Sequence, residues 1–252
     1  IYTLSLHDAL PIYNRRKEFN FADKPLYNPK PYPQTDAIGE IINQCISDNS
    51  NPTLFNCLEI LKYLGIPIPG FELVKEAANI KNVYSKLEKP LALKVVASEI
   101  SHKTESGGVI LNISSPDALV ETFIELDTKF KKDSGIGLKG FLVQEMAKTY
   151  DSTVELIVGA KRDSQFGPVV ILGHGGIFAE IIGKTTARLP PLPLEEIDSM
   201  IDSLPGSEIL TGARNRPAVN RESIRDVIGR IAWLMENFEA IDQIDLNPVW
   251  VS

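Results

Sequence analysis

The chain has 252 residues, 43% of them apolar, and carries 33 acidic against 26 basic side chains for a net charge of −7. That length buries a sizeable core in one large domain or two lobes, and the acidic balance argues against a nucleic-acid protein that works through a basic face. Only two cysteines occur, Cys45 and Cys57, and no apolar run approaches the roughly 18–20 residues needed to cross a bilayer, so a reducing cytoplasm with no membrane contact is the expected setting.

Residues 1–12, IYTLSLHDALPI, match in frame the translation of a sequencing-adapter oligonucleotide and are set aside, which makes a start inside a longer protein the expectation. Residues 13–36 combine spaced prolines with mixed charge and no sustained period, the pattern of a linker or extended arm. AIGEIINQCISD and TLFNCLEILKYLG then place apolar residues at helical spacing, with Gly65 as the stop of the second. IPIPGFELV is extended, NIKNVYSKLE is a short helix, and PLALKVVA is a buried strand by its branched apolar run. GGVILNI is the next strand, followed by a serine-capped helix from Pro116 through FIELDTKFKK. GFLVQEM, TVELIVGAK and GPVVILGHGG are strands, the last ending in a glycine turn, and LEEIDSMIDSL is a helix. RESIRDVIGRIAWLMENF is a long amphipathic helix with Ile224, Val227, Ile228, Ile231 and Leu234 on one face, and IDQIDLNPVWV closes as a strand. Helices and strands mix without strict alternation, so the predicted class is α+β in two lobes.

Four places carry possible chemistry. Lys94 projects from an apolar strand, where an ammonium must meet an anion or lose its charge; a nucleotide phosphate fits, and so does a side chain that reaches solvent. Gly173, Gly175 and Gly176 end a strand where backbone N–H groups can approach phosphate oxygens, or simply form a tight turn to a helix; the spacing is neither a Walker loop nor a dinucleotide fingerprint. Asp245 and Asn247, two apart on a strand, share a face and offer hard oxygens suited to Mg²⁺, although Asn-Pro also marks strand ends. His102 lies on a turn beside Glu105, Gly107 and Gly108, as a solvent-facing ring or as a nucleophile able to take a phosphoryl group.

Six ordered segments, KYLGIPIP, LALKVVASEISHKTESGGVILNI, FLVQEM, VELIVGAKRDSQFGPVVILGHGGIFAE, LTGARNRP and IDLNPVWV, resemble the ATP-grasp β subunit or domain of NDP-forming acyl-CoA synthetases, the ADP-forming acetate:CoA ligases. The resemblance runs from about Leu54 to Val251 and implies an ATP-grasp fold of two lobes with nucleotide bound between them, a small lobe over about 65–142 and a large lobe over about 143–252. It implies that His102 relays a phosphoryl group, that Gly107 and Gly108 free its loop, and that Lys94 holds a nucleotide phosphate. Glu145 and Met146 match a hinge whose backbone reads adenine, Gly175 and Gly176 a phosphate-facing turn that also meets the partner, and Asp245 and Asn247 the metal-binding end. Arg188, Arg214 and Arg216 are candidate anion or partner contacts, or solvated arginines. His174 stands where the family more often has a small or apolar residue, and family members continue past the Asn-Pro pair into a further strand with a metal-holding acid.

The reaction implied converts acyl-CoA, ADP and phosphate into free acid, CoA and ATP, with ATP/ADP and Mg²⁺ as cofactors. This chain would supply the nucleotide half, and a CoA-binding ligase subunit or fused domain would bring acyl-CoA and phosphate, in a hetero-oligomer or a multidomain chain. Two other readings remain: a regulatory synthetase-like domain of a fused protein acetyltransferase, and a non-catalytic partner-binding module.

Overall fold

The structure, a computed structural model, describes residues 24–97, 107–131, 137–150, 152–212 and 217–252. It divides into two compact units, one of residues Gln34–Lys148 and one of Thr149–Ser252 together with the chain up to Pro33.

The first unit opens with two packed helices, α1 (Thr35–Ser47) and α2 (Leu54–Leu64). Helix α2 is closed at both ends by its own sequence. Thr53 and Asn56 form a reciprocal capping box, and Gly65, at φ 84°, ends it in the left-handed region as the sequence predicts. Strands β1 (Phe71–Val74), β2 (Leu91–Ala97), β3 (Val109–Ile113) and β4 (Leu138–Glu145) build an antiparallel sheet of order β1-β4-β2-β3. Alternation along β2 divides its side chains between two faces. Leu91, Leu93, Val95 and Ala97 join Phe141 and Val143 under α3 (Ile80–Lys86) and α4 (Pro116–Lys131), where Phe123 and Phe141 meet edge to face at 4.7 Å. On the other face Val96 and Leu142 pack with Leu54, Phe55 and Leu58 of α2, and Lys94 lies between Ala92 and Val96 on that same face.

In the second unit β5 (Val154–Asp163), β6 (Gly167–His174), β7 (Thr185–Arg188) and β8 (Gln243–Val251) form an antiparallel sheet of order β7-β6-β5-β8. A short helix α5 (Gly176–Ile182) follows β6, and α6 (Leu194–Asp202) and α7 (Arg221–Asn237) cover one face of the sheet. Val154, Leu156, Val158, Val170 and Leu172 point into that covered face and are buried, with Ile197, Ile224, Ile228 and Ile231 supplied from the helices. Arg221 and Arg225 of α7 both grip Asp198 of α6, at 3.0 and 2.6 Å. By alternation Glu155, Ile157, Gly159 and Lys161 lie on the opposite face, which the helices leave uncovered.

The structure adds one strand that the sequence pattern does not announce and follows the glycine-ended strand with a helix, the alternative left open by the sequence. β7, TTAR, has no run of large apolar residues and exists because β6 offers it an edge from Gly173 to Val170. α5 turns the glycine-ended strand into a strand-to-helix corner. Residues 24–33 are held against the second unit: the Tyr27 N–H donates to Leu192 O at 3.0 Å, and Leu26 bridges to Pro193.

Candidate active site

In the first unit the chemistry gathers on the Lys94 face of the sheet. Lys94 sits opposite Leu142 and Val109 in the central part of the sheet. Its ammonium donates to Gln144 Oε1 at 2.7 Å, and no carboxylate pairs with it among the described residues. Burial pulls its pKa below the ordinary lysine value. The Gln144 amide is neutral, so it satisfies one of three N–H donors and none of the charge. An anion in front of Lys94 would supply what the protein withholds.

Glu145 ends β4 and Met146 follows it, and their atoms are used locally. The Glu145 carboxylate accepts from Gly70 N at 3.0 Å and from Glu88 N at 2.8 Å, clamping the two loops that flank the sheet. Its own N–H donates to Gly70 O at 2.9 Å, and the Met146 N–H donates to Pro90 O at 3.0 Å. Both amides are therefore spent inside the unit, and any adenine reading by these two residues falls to other backbone atoms. Gly107, at φ 67°, makes the turn into β3, whereas Gly108 is already part of the sheet, its carbonyl accepting from Val95 N at 2.8 Å. Of the pair expected to free the loop, Gly108 is thus tied to the sheet. His102 and Glu105 lie outside the described residues.

In the second unit Gly175 and Gly176 follow β6 at the uncovered face. The Gly175 N–H donates to Glu155 O at 2.8 Å. Gly176 is left-handed at φ 54°, and a Cβ there would stand 2.6 Å from Glu155 Oε2, so this turn needs glycine for both conformation and space. Glu155 itself escaped notice in the sequence; the alternation in VELIVG, polar at its second position, is the signal that places it on the uncovered face. Gln144, a polar residue inside the apolar run FLVQEM, is the matching omission in the first unit.

Asp245 and Asn247 lie on the edge strand β8, both exposed. Asp245 pairs with Gly159 and so shares the Glu155 face. The register jumps between Val158↔Leu246 and Leu156↔Val249, so Asn247 and Pro248 together oppose Ile157 in a β-bulge. The Asn-Pro pair is a bulge within the strand and not its end. Two oxygen-bearing side chains on one exposed edge suit Mg²⁺, which keeps several waters and takes one or two protein ligands beside phosphate oxygens. No cluster of three or more His, Cys, Asp or Glu with metal-binding geometry occurs among the described residues.

One expectation, that for Arg188, is corrected. Arg188 is neither an anion contact nor solvated: it points to the helix side of the sheet, buried, with Nε 2.9 Å from Glu196 Oε2 and its Nη2 donating to the Ser199 and Ser203 hydroxyls. His174, in the glycine turn by sequence, also faces the helices and is only 3% exposed. Its Nε2 donates to Pro205 O at 2.9 Å, and its Nδ1 is buried with no hydrogen-bond partner among the described residues. Burial depresses its pKa, against a smaller opposing effect of the Pro205 carbonyl. Arg214 and Arg216 lie outside the described residues. No described helix is long and apolar enough to cross a membrane.

A family model described as an ATP-grasp domain matches residues 47–252. The β subunit of acetate–CoA ligase [ADP-forming] I from Pyrococcus furiosus is 33% identical over 214 residues, covering 84% of this chain and 90% of that protein. The 4-hydroxybutyrate–CoA ligase [ADP-forming] of Nitrosopumilus maritimus is 33% identical over 194 residues, 77% of this chain but only 27% of that protein. The chain therefore spans less than a third of the longer curated relatives that it matches. Among solved structures, the dinucleotide-forming acetyl-coenzyme A synthetase 1 of Ca. Korarchaeum cryptofilum, in complex with coenzyme A and Mg-AMPPCP and with its phosphohistidine segment pointing towards the nucleotide-binding site, superposes with a TM-score of 0.71 at 29% identity, covering 85% of this chain and 92% of that one. This chain belongs to the ATP-grasp β subunits and domains of the NDP-forming acyl-CoA synthetases.

Proposed function

We propose that this chain is the nucleotide-binding part of an ADP-forming acyl-CoA ligase, which interconverts acyl-CoA, ADP and phosphate with free acid, CoA and ATP through a phosphohistidine. The observation that carries this reading is the half-buried Lys94 ammonium, which has a neutral amide and no acid beside it among the described residues. A charge kept without an internal partner is costly to hold, and a phosphate ligand relieves that cost.

Lys94 binds the transferring phosphate and offsets the charge that develops on it. Asp245 and Asn247 would hold Mg²⁺ through their side-chain oxygens, with ATP phosphates and water completing its shell. Bound there, the ion would neutralise phosphate charge and orient the phosphoryl group. His102 accepts that group: a ring nitrogen forms the N–P bond, the bond from the γ-phosphorus to the bridging oxygen breaks, and ADP leaves. A CoA-binding subunit or fused domain then receives the phosphoryl group and brings the acyl chemistry, as the β-subunit relationship supports. The uncovered face of the second unit, with Glu155, Asp245 and the Gly175–Gly176 turn, is where this unit contributes.

Two measurements test the reading. Mg-ATP at 100 times its Kd should stabilise the protein by about 2.7 kcal/mol, seen as a rise in Tm. That rise should shrink to about 1 kcal/mol in Lys94→Met at the same ligand concentration, and no rise in the unmodified chain would refute nucleotide binding. Incubation with Mg-ATP and the CoA-binding partner should leave an acid-labile phosphate that is absent in His102→Ala; equal labelling in both would refute the relay while leaving nucleotide binding intact.

A further inference from the structure

Helix α7 carries two stripes. Ile224, Val227, Ile228, Ile231 and Leu234 pack on the sheet, while Asp226, Gly229, Arg230 and Trp233 run along another face at i, i+3, i+4 and i+7. Residues 24–33 lie along this second stripe, and each of its four residues meets a specific feature of them. Tyr27 donates its hydroxyl to Asp226, and its ring fills the place that a Cβ on Gly229 would take. Arg230 is fully buried, donating from Nε to Asp226 Oδ2 at 2.7 Å, from Nη1 to Pro31 O at 3.1 Å and from Nη2 to Lys30 O at 3.0 Å. Trp233 donates from Nε1 to the Tyr32 hydroxyl at 3.3 Å, and the two rings meet edge to face at 5.6 Å. Lys24 adds an ion pair to Glu195 at the start of α6.

Nothing within α7 explains a glycine in the middle of a buried helix, where it costs about 1 kcal/mol against alanine. The Tyr27 ring does. Nor does Asp226 alone satisfy a fully buried guanidinium; two backbone carbonyls of the arm also accept from it. Helix and arm are built for each other: a slot for one ring, an edge for a second, and a fork that reads the carbonyls between them.

We propose that this stripe of α7 is a peptide-recognition groove for an extended, proline-interrupted segment with two tyrosines five residues apart, and that the chain's own residues 24–33 are its resident ligand. Docked there, the arm braces α7 against the back of β5 and β6, whose other face carries Glu155. The arm lies before residue 47, where the match of the family model begins, while the four groove residues of α7 lie within that match.

Hydrogen exchange on the full chain tests the docking. Tyr27→Ala and Gly229→Ala should each speed exchange in residues 24–33 by about tenfold or more, with β5 unchanged. Unaltered exchange in both variants would overturn the proposal. If Gly229→Ala also loosens β5, the Tyr27→Ala result alone decides, because that change leaves the helix intact. In a Trp250→Phe background a synthetic peptide of residues 24–33 should bind the Tyr27→Ala chain saturably and alter Trp233 emission, whereas the same peptide with both tyrosines replaced by alanine should not. Equal responses to the two peptides would overturn the recognition. Protection of residues 24–33 that rises with protein concentration would assign the arm to a second copy and overturn docking within one chain.

Discussion

Lys94 and Gln144 lie on adjacent strands of one sheet, and the ammonium of the first donates to the side-chain oxygen of the second at 2.7 Å with no carboxylate alongside among the described residues. The pair holds a charge in place without neutralising it. Such an arrangement trades stability for a ready anion site.

Replacing Lys94 should reveal that trade. Lys94→Met keeps most of the side-chain volume and removes the charge, so the ligand-free protein should be as stable or more stable by about 1 kcal/mol in urea unfolding. ATP affinity should fall by about 2 kcal/mol, roughly thirtyfold, in calorimetric titration. Because burial lowers its pKa, the folded chain binds fewer protons than the unfolded one as pH approaches the ordinary lysine value. Stability of the unmodified chain should therefore rise with pH in that alkaline window, and the rise should be smaller in Lys94→Met.

Glu145 is a clamp by its side chain, whatever its backbone does. Its carboxylate satisfies the amides of Gly70 and Glu88 and so ties two loops to β4 through one side chain. Glu145→Ala should cost about 3 kcal/mol, and Glu145→Gln, which keeps one acceptor oxygen, about half of that, as read from urea midpoints. An equal cost for the two changes would show that packing and not hydrogen bonding is at stake.

At Gly176 the conformation and the neighbour act together. Gly176→Ala places a methyl group 2.6 Å from Glu155 Oε2 at φ 54°, and should destabilise the chain by about 1–2 kcal/mol. Shortening the neighbour with Glu155→Ala should recover the steric part and leave the conformational part, so a double-mutant cycle should show a coupling of about 0.5 kcal/mol or more. Strict additivity would mean that the carboxylate simply moves away.

His174 makes the fold sensitive to acid. Its Nε2–H is committed to Pro205 O, so protonation must add a hydrogen to Nδ1, which is buried without an acceptor among the described residues. The folded pKa is depressed below 6.5, so the contribution of the neutral ring is intact above that value and is lost as pH falls from there through the folded pKa. Tm measured from pH 8 to pH 5 should hold level and then decline. In His174→Gln, which keeps a donor for Pro205 and does not titrate, the decline should flatten; an unchanged profile would place the acid sensitivity elsewhere.

The local elements were legible because their causes are local. Thr53 and Gly65 cap α2 from either side, the branched run of LALKVVA makes β2, and the apolar spacing of Ile224, Val227 and Ile228 makes α7 and names its buried face. The candidate residues Lys94, Asp245 and Asn247 were readable for a related reason, since a cation inside an apolar strand and two oxygen ligands two apart on a strand are visible as violations or repeats of a period.

Partners distant in sequence were not legible. The same composition suits a solvated arginine and the buried Arg188 that pairs with Glu196, and only the folding of α6 over β7 decides between them. His174 reads as a polar residue in a glycine turn, yet β6 aims it at the helices because strand alternation runs through to its last residue. The prolines and tyrosines of residues 24–33 read as an unattached arm, because the slot that receives Tyr27 is the missing side chain of Gly229, about 200 positions further on. Period and capping are set by neighbours along the chain; ion pairs, ring slots and shared acceptors are set by which surfaces the fold brings together, and for this protein those surfaces exist only once its sheets and helices have assembled.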